Sequence, residues 1–336
     1  MRAQVAAFVS RRWGVPESRV HVDLQPLHGG LESAVVLARI AADSSDASLP
    51  RGLVVKELRT GLRREADVYD WLWRDVDAPP AVRVLGREVG DDTIHLYLEE
   101  AQAVSSWPWA EPRVAAAVCR QLARLHDTAE PPRELSSWDY EAELARSAAL
   151  TLDVALTACD AAGRRFWGRM GDLRRVVGAL PGIRRRLLSG ATTLIHGDVQ
   201  PGNVILRRSD SDSDAQVVLI DWARARIGSP LEDIASWLHS LGCWEPQARR
   251  RHDSLMRAYL DARRVRRDFS TEVRADYWLA SVSNGLSGAI RYHLSVQADP
   301  GTTAAARYYS SRALSAWERV VRRAAAILST SPDRCR

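Results

Sequence analysis

Residues 2–13 carry an amphipathic pattern that predicts a helix, closed by the turn Gly14-Val15-Pro16. The pattern then changes to short runs rich in Val, Leu and Ile. Residues 20–27, 34–40 and 53–58 read as strands, with His28-Gly29-Gly30 after the first and a polar loop, 42–50, before the third. Helical spacing returns over 62–73, where Leu62, Ala66, Tyr69 and Trp73 share one stripe. Two further strands, 82–88 and 93–98, flank the turn Gly90-Asp91-Asp92. Residues 1–100 are thus expected to form an N-terminal lobe of about five antiparallel strands with one inserted helix.

The composition shifts after Glu100. Residues 101–112 contain Trp107, Trp109, Pro108 and Pro112 and read as a linker. Beyond it the spacing is helical over 113–126, 140–161, 166–177 and 183–188. Short apolar strands interrupt at 193–195, 204–206 and 216–220, and the polar stretch 208–214 forms a hairpin tip. Residues 231–328 are helical again. The predicted fold class is α+β, with residues 101–336 forming a larger helical C-terminal lobe.

Composition narrows the function classes. No apolar run reaches the roughly 18 residues that read as a membrane span, so no membrane partner is expected. The first apolar run is too short for a secretory signal and meets a basic pair at once, which reads as a cytoplasmic protein. Four cysteines, Cys119, Cys159, Cys243 and Cys335, lie far apart with no zinc-type spacing; they read as free thiols. A net charge of +5 and a pI near 9.3 raise nucleic acid as a partner. The arginines are scattered among acids, however, and no nucleic-acid-binding signature stands out, so a solvated basic surface is the reading adopted.

One count is more telling. Of 47 basic residues a single one is lysine, Lys56, at the end of the strand Leu53-Val54-Val55-Lys56. A compact ammonium fits among phosphate oxygens where a planar guanidinium does not. The sharpest motif is His196-Gly197-Asp198-Val199-Gln200-Pro201-Gly202-Asn203, flanked by apolar strands. Eighteen residues after Asn203, the buried-type strand 217–220 ends in Asp221. Phosphoryl transfer needs a group to orient the attacking hydroxyl and hard oxygen ligands for magnesium. Asp198 suits the first task; Asn203 and Asp221 suit the second. Taken singly, each also suits a turn or a cap.

HGDxxPGN followed by the Ile220-Asp221-Trp222 strand end resembles the aminoglycoside phosphotransferase family, small-molecule kinases with a bilobal protein-kinase-like fold. The resemblance implies ATP, with GTP as the alternative nucleotide, and Mg2+. It makes Asp198 the catalytic aspartate and Asn203 and Asp221 the metal ligands. His196 and Asp233 would brace the loop, Asp233 lying in Gly228-Ser229-Pro230-Leu231-Glu232-Asp233. Lys56 would meet the α- and β-phosphates and pair with Glu65 on the following helix. Gly29, Gly30 and Ser33 stand where a phosphate-covering loop belongs, although the full glycine pattern is missing. Glu99 and Ala101 stand at the hinge, where main-chain groups would meet the adenine. Leu122-Ala123-Arg124-Leu125-His126 matches a family helix end and is read as packing.

The acceptor is less legible. Polycationic aminoglycosides call for acidic clusters, yet residues 276–293 are aromatic, small and nearly acid-free, and 304–317 adds Arg307, Tyr308, Tyr309 and Arg312. Trp278, Asn284, Arg291 and Tyr292 are the candidate acceptor contacts. A small hydroxyl-bearing antibiotic, nucleoside-type or otherwise neutral or anionic, is favoured over a polycationic aminoglycoside. The alternatives are a metabolic kinase of the same fold, acting on a sugar, choline-like or amino-alcohol substrate, and a non-catalytic kinase-like or nucleic-acid-binding protein.

Overall fold

The computed structural model describes residues 1–27, 34–42, 49–59, 63–101, 107–128, 138–159, 163, 165–207, 216–264 and 268–330. The chain divides into two compact units, and the first is discontinuous. It takes residues 1–106 and 205–223; the second takes 107–204 and 224–336.

The N-terminal unit starts with α1 (Arg2–Trp13), ended by Gly14 in a left-handed conformation. Strands β1 (Val20–Pro26), β2 (Ala34–Ala42) and β3 (Gly52–Arg59) follow. Helix α2 (Arg63–Asp75) precedes β4 (Val84–Val89) and β5 (Thr93–Glu99). The five strands form one antiparallel sheet in the order β1-β2-β3-β5-β4. Period-two alternation along β3 sorts its side chains. Leu53 and Val55 join the apolar cluster that holds Val5, Phe8 and Val9 of α1, while Lys56 belongs to the opposite face. The ring of Phe8 stacks on Tyr97 at 3.7 Å, and a Cβ at Gly86 would lie 2.5 Å from that ring. Only glycine allows so close an approach.

The hairpin of β7 (Val204–Arg207) and β8 (Gln216–Leu219) belongs to this unit from residue 205 onward. Leu219 N–H donates to the Pro80 carbonyl at 2.7 Å, and Arg207 pairs with Glu99 at 2.7 Å.

In the C-terminal unit, α3 (Pro112–His126), α4 (Tyr140–Thr157), α5 (Met170–Gly178) and α6 (Leu180–Leu188) precede β6 (Thr193–Ile195). Later come β9 (Arg226–Gly228) and α7 (Pro230–Trp244). Helices α8 (Pro246–Arg250), α9 (His252–Ala262), α10 (Thr271–Asn284), α11 (Ile290–Ala298) and α12 (Ala304–Thr330) complete it, a π-turn (Gly285–Ala289) joining α10 to α11. Trp167, Trp237, Tyr259 and Tyr277 are its largest fully buried side chains.

The structure departs from the periodicity in three places. Helix α4 stops at Thr157 because Ala158 is extended. Helix α5 starts at Met170 rather than 166, after Trp167 has turned into the core and Gly168 N–H has been taken by Glu318. Strand β9 was not expected; three residues are too few to show alternation, and only pairing with β6 defines it. Among the described residues no helix is long and apolar enough to cross a membrane.

Phe8→Ala empties the space between α1 and the sheet. It should destabilise the protein by about 3–5 kcal/mol in denaturant unfolding; a loss under about 1 kcal/mol would show that this contact is not part of the core.

Candidate functional site

Strand β3 sets Lys56 at 6% exposure, in register between Val35 and Leu96. Its Nζ donates to Glu65 Oε1 of α2 at 2.8 Å and to Asp221 Oδ1 at 2.7 Å. Burial works against the ammonium, but Glu65 and Asp221 outweigh it and hold the Lys56 pKa above the ordinary lysine value. Burial is also the main reason that Glu65 titrates above the ordinary carboxylate value, against the pull of Lys56. Asp221 follows β8 with φ 64°, a left-handed conformation that costs a non-glycine residue about 1–2 kcal/mol. Aspartate tolerates it better than most residues. Its side chain stays 36% exposed while one oxygen holds Lys56.

In the C-terminal unit the loop after β6 is built on backbone hydrogen bonds. Asp233, in the first turn of α7, is fully buried. Its Oδ2 accepts His196 N–H at 2.7 Å and its Oδ1 accepts Gly197 N–H at 2.8 Å. Gly197 has φ 81°, and a Cβ there would sit 2.2 Å from the Arg224 carbonyl oxygen, so no other residue fits. The Nδ1 of buried His196 accepts Asp198 N–H at 3.3 Å. Asn203 Nδ2 donates to the Asp198 carbonyl and to Asp198 Oδ2, both at 2.9 Å, and Gln200 Nε2 reaches the same Oδ2 at 3.2 Å. Two carboxamides therefore fix the Asp198 carboxylate, and Asn203 keeps its own carbonyl oxygen as a hard donor.

A second layer backs Asp233. The His126 Nε2–H donates to Asp233 Oδ2 at 3.1 Å, and His126 Nδ1 accepts the Tyr259 hydroxyl at 2.9 Å. Arg263 Nη1 donates to the same tyrosine oxygen at 2.8 Å. Burial depresses the His126 pKa; Asp233, held by His126 and Gly197, also lies below its usual value despite burial. The pair is thus a neutral imidazole donating to a carboxylate. Read from the sequence, His126 was a packing residue; its position at the end of the Leu122–His126 motif was the available signal.

Glu232, beside Asp233, was missed outright. Its Oε1 accepts Arg184 Nη1 and Arg226 Nη2, each at 2.7 Å, and its Oε2 accepts Ser229 N–H at 3.1 Å to close a capping box. The Tyr140 ring lies 3.7 Å from the Arg226 guanidinium and 5.2 Å from that of Arg184. Nearby, Arg224 pairs with Glu143 at 3.3 Å over the Trp138 ring. A lone Ser229-to-Glu232 spacing signals the cap but not the arginines.

The remaining expected residues fall as follows. Glu99 ends β5, and its Oε1 accepts Arg83 N–H and Arg207 Nη1; Ala101 is half-buried. Gly29, Gly30 and Ser33 lie outside the described residues. Trp278 is half-buried, packed on Tyr277 and parallel to His252. Asn284 Nδ2 donates to the Glu232 carbonyl at 2.7 Å and so ties α10 to α7. Arg291 is half-buried, and Tyr292 is exposed beside His293.

Residues 23–269 match the model of the phosphotransferase enzyme family. The chain belongs to this family. It has its kinase fold, as solved structures of low identity show. An ethanolamine kinase from Plasmodium vivax is 11% identical, with a TM-score of 0.59, covering 90% of this chain and 83% of that one. A choline/ethanolamine kinase family protein from Mesorhizobium loti is 16% identical, with a TM-score of 0.58, covering 97% and 98%. A spectinomycin phosphotransferase, solved with ADP and spectinomycin, is 12% identical, with a TM-score of 0.57, covering 96% and 97%. No curated protein matches the chain.

Two tests address the bracing. Asp233→Ala strips the acceptor from two backbone donors and from His126, and should cost about 3–5 kcal/mol of stability in denaturant unfolding; a cost under about 1 kcal/mol would exclude Asp233 as the brace. Acid should also weaken the fold. His126 and His252 are lowered by burial, and His239 and His293 are pushed down to about 3 and about 4. Each is neutral when folded but takes a proton near pH 6.5 when unfolded, so its stabilisation is complete above that pH and is lost as the pH falls. Unfolding free energy should drop from pH 7 to pH 5 by up to about 1.4 kcal/mol per pH unit for each histidine. A flat profile over that range would contradict the burial.

Proposed function

We propose that the protein is a small-molecule kinase that transfers the γ-phosphoryl group of ATP, in the presence of Mg2+, to an acceptor hydroxyl. The observation that carries this reading is the buried Lys56 ammonium held between Glu65 and Asp221. The only lysine in an arginine-rich chain is placed where a compact cation can read phosphate oxygens. Lys56 would hold the nucleotide, and Glu65 would fix the lysine. Asn203 and Asp221 present the carbonyl and carboxylate oxygens that Mg2+ prefers. Among the described residues no group of three or more His, Cys, Asp or Glu could hold a metal. Magnesium, when bound, would neutralise charge on the nucleotide phosphates.

Asp198 is the group that would orient the acceptor hydroxyl and accept its proton. Asn203 and Gln200 hold its carboxylate, and Asp233 holds the loop beneath. Catalysis of this kind is positioning and electrostatic stabilisation. GTP is the alternative nucleotide, and the cytoplasm, where nucleotide is available, is the expected compartment.

For the acceptor we favour a neutral or anionic antibiotic over a polycation. Three carboxylates of the C-terminal unit are committed to arginines: Glu141 to Arg184, Glu143 to Arg224, and Glu232 to Arg184 and Arg226. Those pairings offset the charge that would gather ammonium groups. Antibiotic resistance is the role this implies. The likeness to choline and ethanolamine kinases keeps an amino-alcohol acceptor as the second reading.

ADP release should be measured from ATP and Mg2+ across antibiotics, sugars and amino alcohols. An acceptor-dependent signal should fall by about 10²–10⁴-fold in Asp198→Asn while that variant still binds ATP. Retention of full turnover in the variant would remove Asp198 from the chemistry.

A further inference from the structure

Trp107, Trp244 and Tyr309 form an aromatic cluster on the surface of the C-terminal unit. They come from three separate segments: the stretch before α3, the end of α7 and the start of α12. Ring centroids are 6.4 Å apart between Trp107 and Trp244 and 5.2 Å apart between Trp244 and Tyr309. The three side chains are 39%, 49% and 45% exposed. A single exposed aromatic residue means little, but a contiguous group marks a binding surface.

Positive charge adjoins this cluster. The Arg249 side chain lies along α7 at Gly242, where a Cβ would sit 3.1 Å from Arg249 Cγ. On α12, Arg312 caps the Tyr308 ring, and Arg319 follows on the same helical stripe. All three arginines act on Cys243, the neighbour of Trp244. Elsewhere in the unit Arg184, Arg226 and Arg263 are matched by carboxylates. Among the described residues no carboxylate pairs with Arg249, Arg312 or Arg319, and burial and the charge of Arg249 lower the Arg319 pKa. Beneath them the His239 ring packs 3.8 Å from that of Trp317. The buried Nε2 of His239 has no hydrogen-bond partner among the described residues.

Flat rings and unneutralised positive charge together define one ligand chemistry. We propose that the surface of Trp107, Trp244, Tyr309, Arg249, Arg312 and Arg319 binds a small anionic molecule that carries a flat aromatic ring. The rings stack on the ligand, and the arginines neutralise its charge. A polycation is repelled there, and an aliphatic chain gains nothing from the arginines. The proposal does not rest on the reading of the phosphoryl-transfer site, and its test is binding to this surface.

The test is calorimetric titration of the full chain at low salt with naphthalene-2-sulfonate, neutral 2-naphthol and 2-naphthylmethylammonium. The sulfonate should bind about tenfold more tightly than the naphthol, and the ammonium more weakly than both. Trp244→Ala should weaken sulfonate and naphthol alike by about tenfold. The double change Arg249→Gln with Arg319→Gln should weaken the sulfonate alone by a similar factor. These side chains lie at the surface, so the variants should melt like the wild type. Equal binding of the three probes, or sulfonate binding unmoved by both variants, would overturn the proposal. The hydroxyl-bearing 6-hydroxynaphthalene-2-sulfonate then separates two sources of the ligand. If it binds and drives ADP release with ATP and Mg2+, the surface receives the acceptor; if it binds without turnover, the surface holds a ligand outside the reaction. Both results support the surface.

Discussion

A buried ammonium between two carboxylates is the constraint on which the N-terminal unit depends. Lys56 cannot be buried alone, since an unpaired charge there would deprotonate or destabilise the fold. Its partners come from two distant stretches of sequence, Glu65 on α2 and Asp221 after β8. The triangle therefore fixes α2 against β3 and the β7–β8 end against the sheet. It also accounts for the backbone of Asp221, whose left-handed conformation is sustained by what its side chain holds. The site proposed for nucleotide phosphates uses the same three residues.

In the C-terminal unit the first turn of α7 carries two adjacent carboxylates with different tasks. Asp233 accepts two backbone N–H groups of the Asp198 loop and a neutral histidine. Glu232 accepts two arginines and closes the helix cap. Buried ion pairs contribute little net stability but define geometry well. Here they set the helix end, the helix end sets Asp233, and Asp233 sets the loop that presents Asp198. Asn284 adds a third tie through the Glu232 carbonyl. An expected acceptor contact is in this way committed to the scaffold.

What was legible in the sequence followed from local rules. The strands and α2 show in the spacing of apolar residues; the order of the N-terminal sheet does not, because β5 rather than β4 pairs with β3. Lys56 stood out because it is a single lysine among arginines, and the Asp198 loop because carboxylate and carboxamide fall at a fixed spacing between apolar strands. The rest was not legible because it rests on contacts distant in sequence. Strand β9 exists only through pairing with β6. The Arg184–Glu232 bond joins residues 48 apart, and His126 meets Asp233 across 107 positions. The aromatic group at Trp244 gathers three segments that share no sequence period.

The most direct test of the account is calorimetric titration of ATP into the wild type and Asp221→Asn, each with and without Mg2+. Asp221 is held to present one oxygen to Lys56 and to keep the other for a cation on the nucleotide. The wild type should bind ATP at least about tenfold more tightly with Mg2+ than without it, and Asp221→Asn should lose that gain. ATP binding that ignores Mg2+ in both proteins, or a gain that survives the substitution, would contradict the assignment of this site.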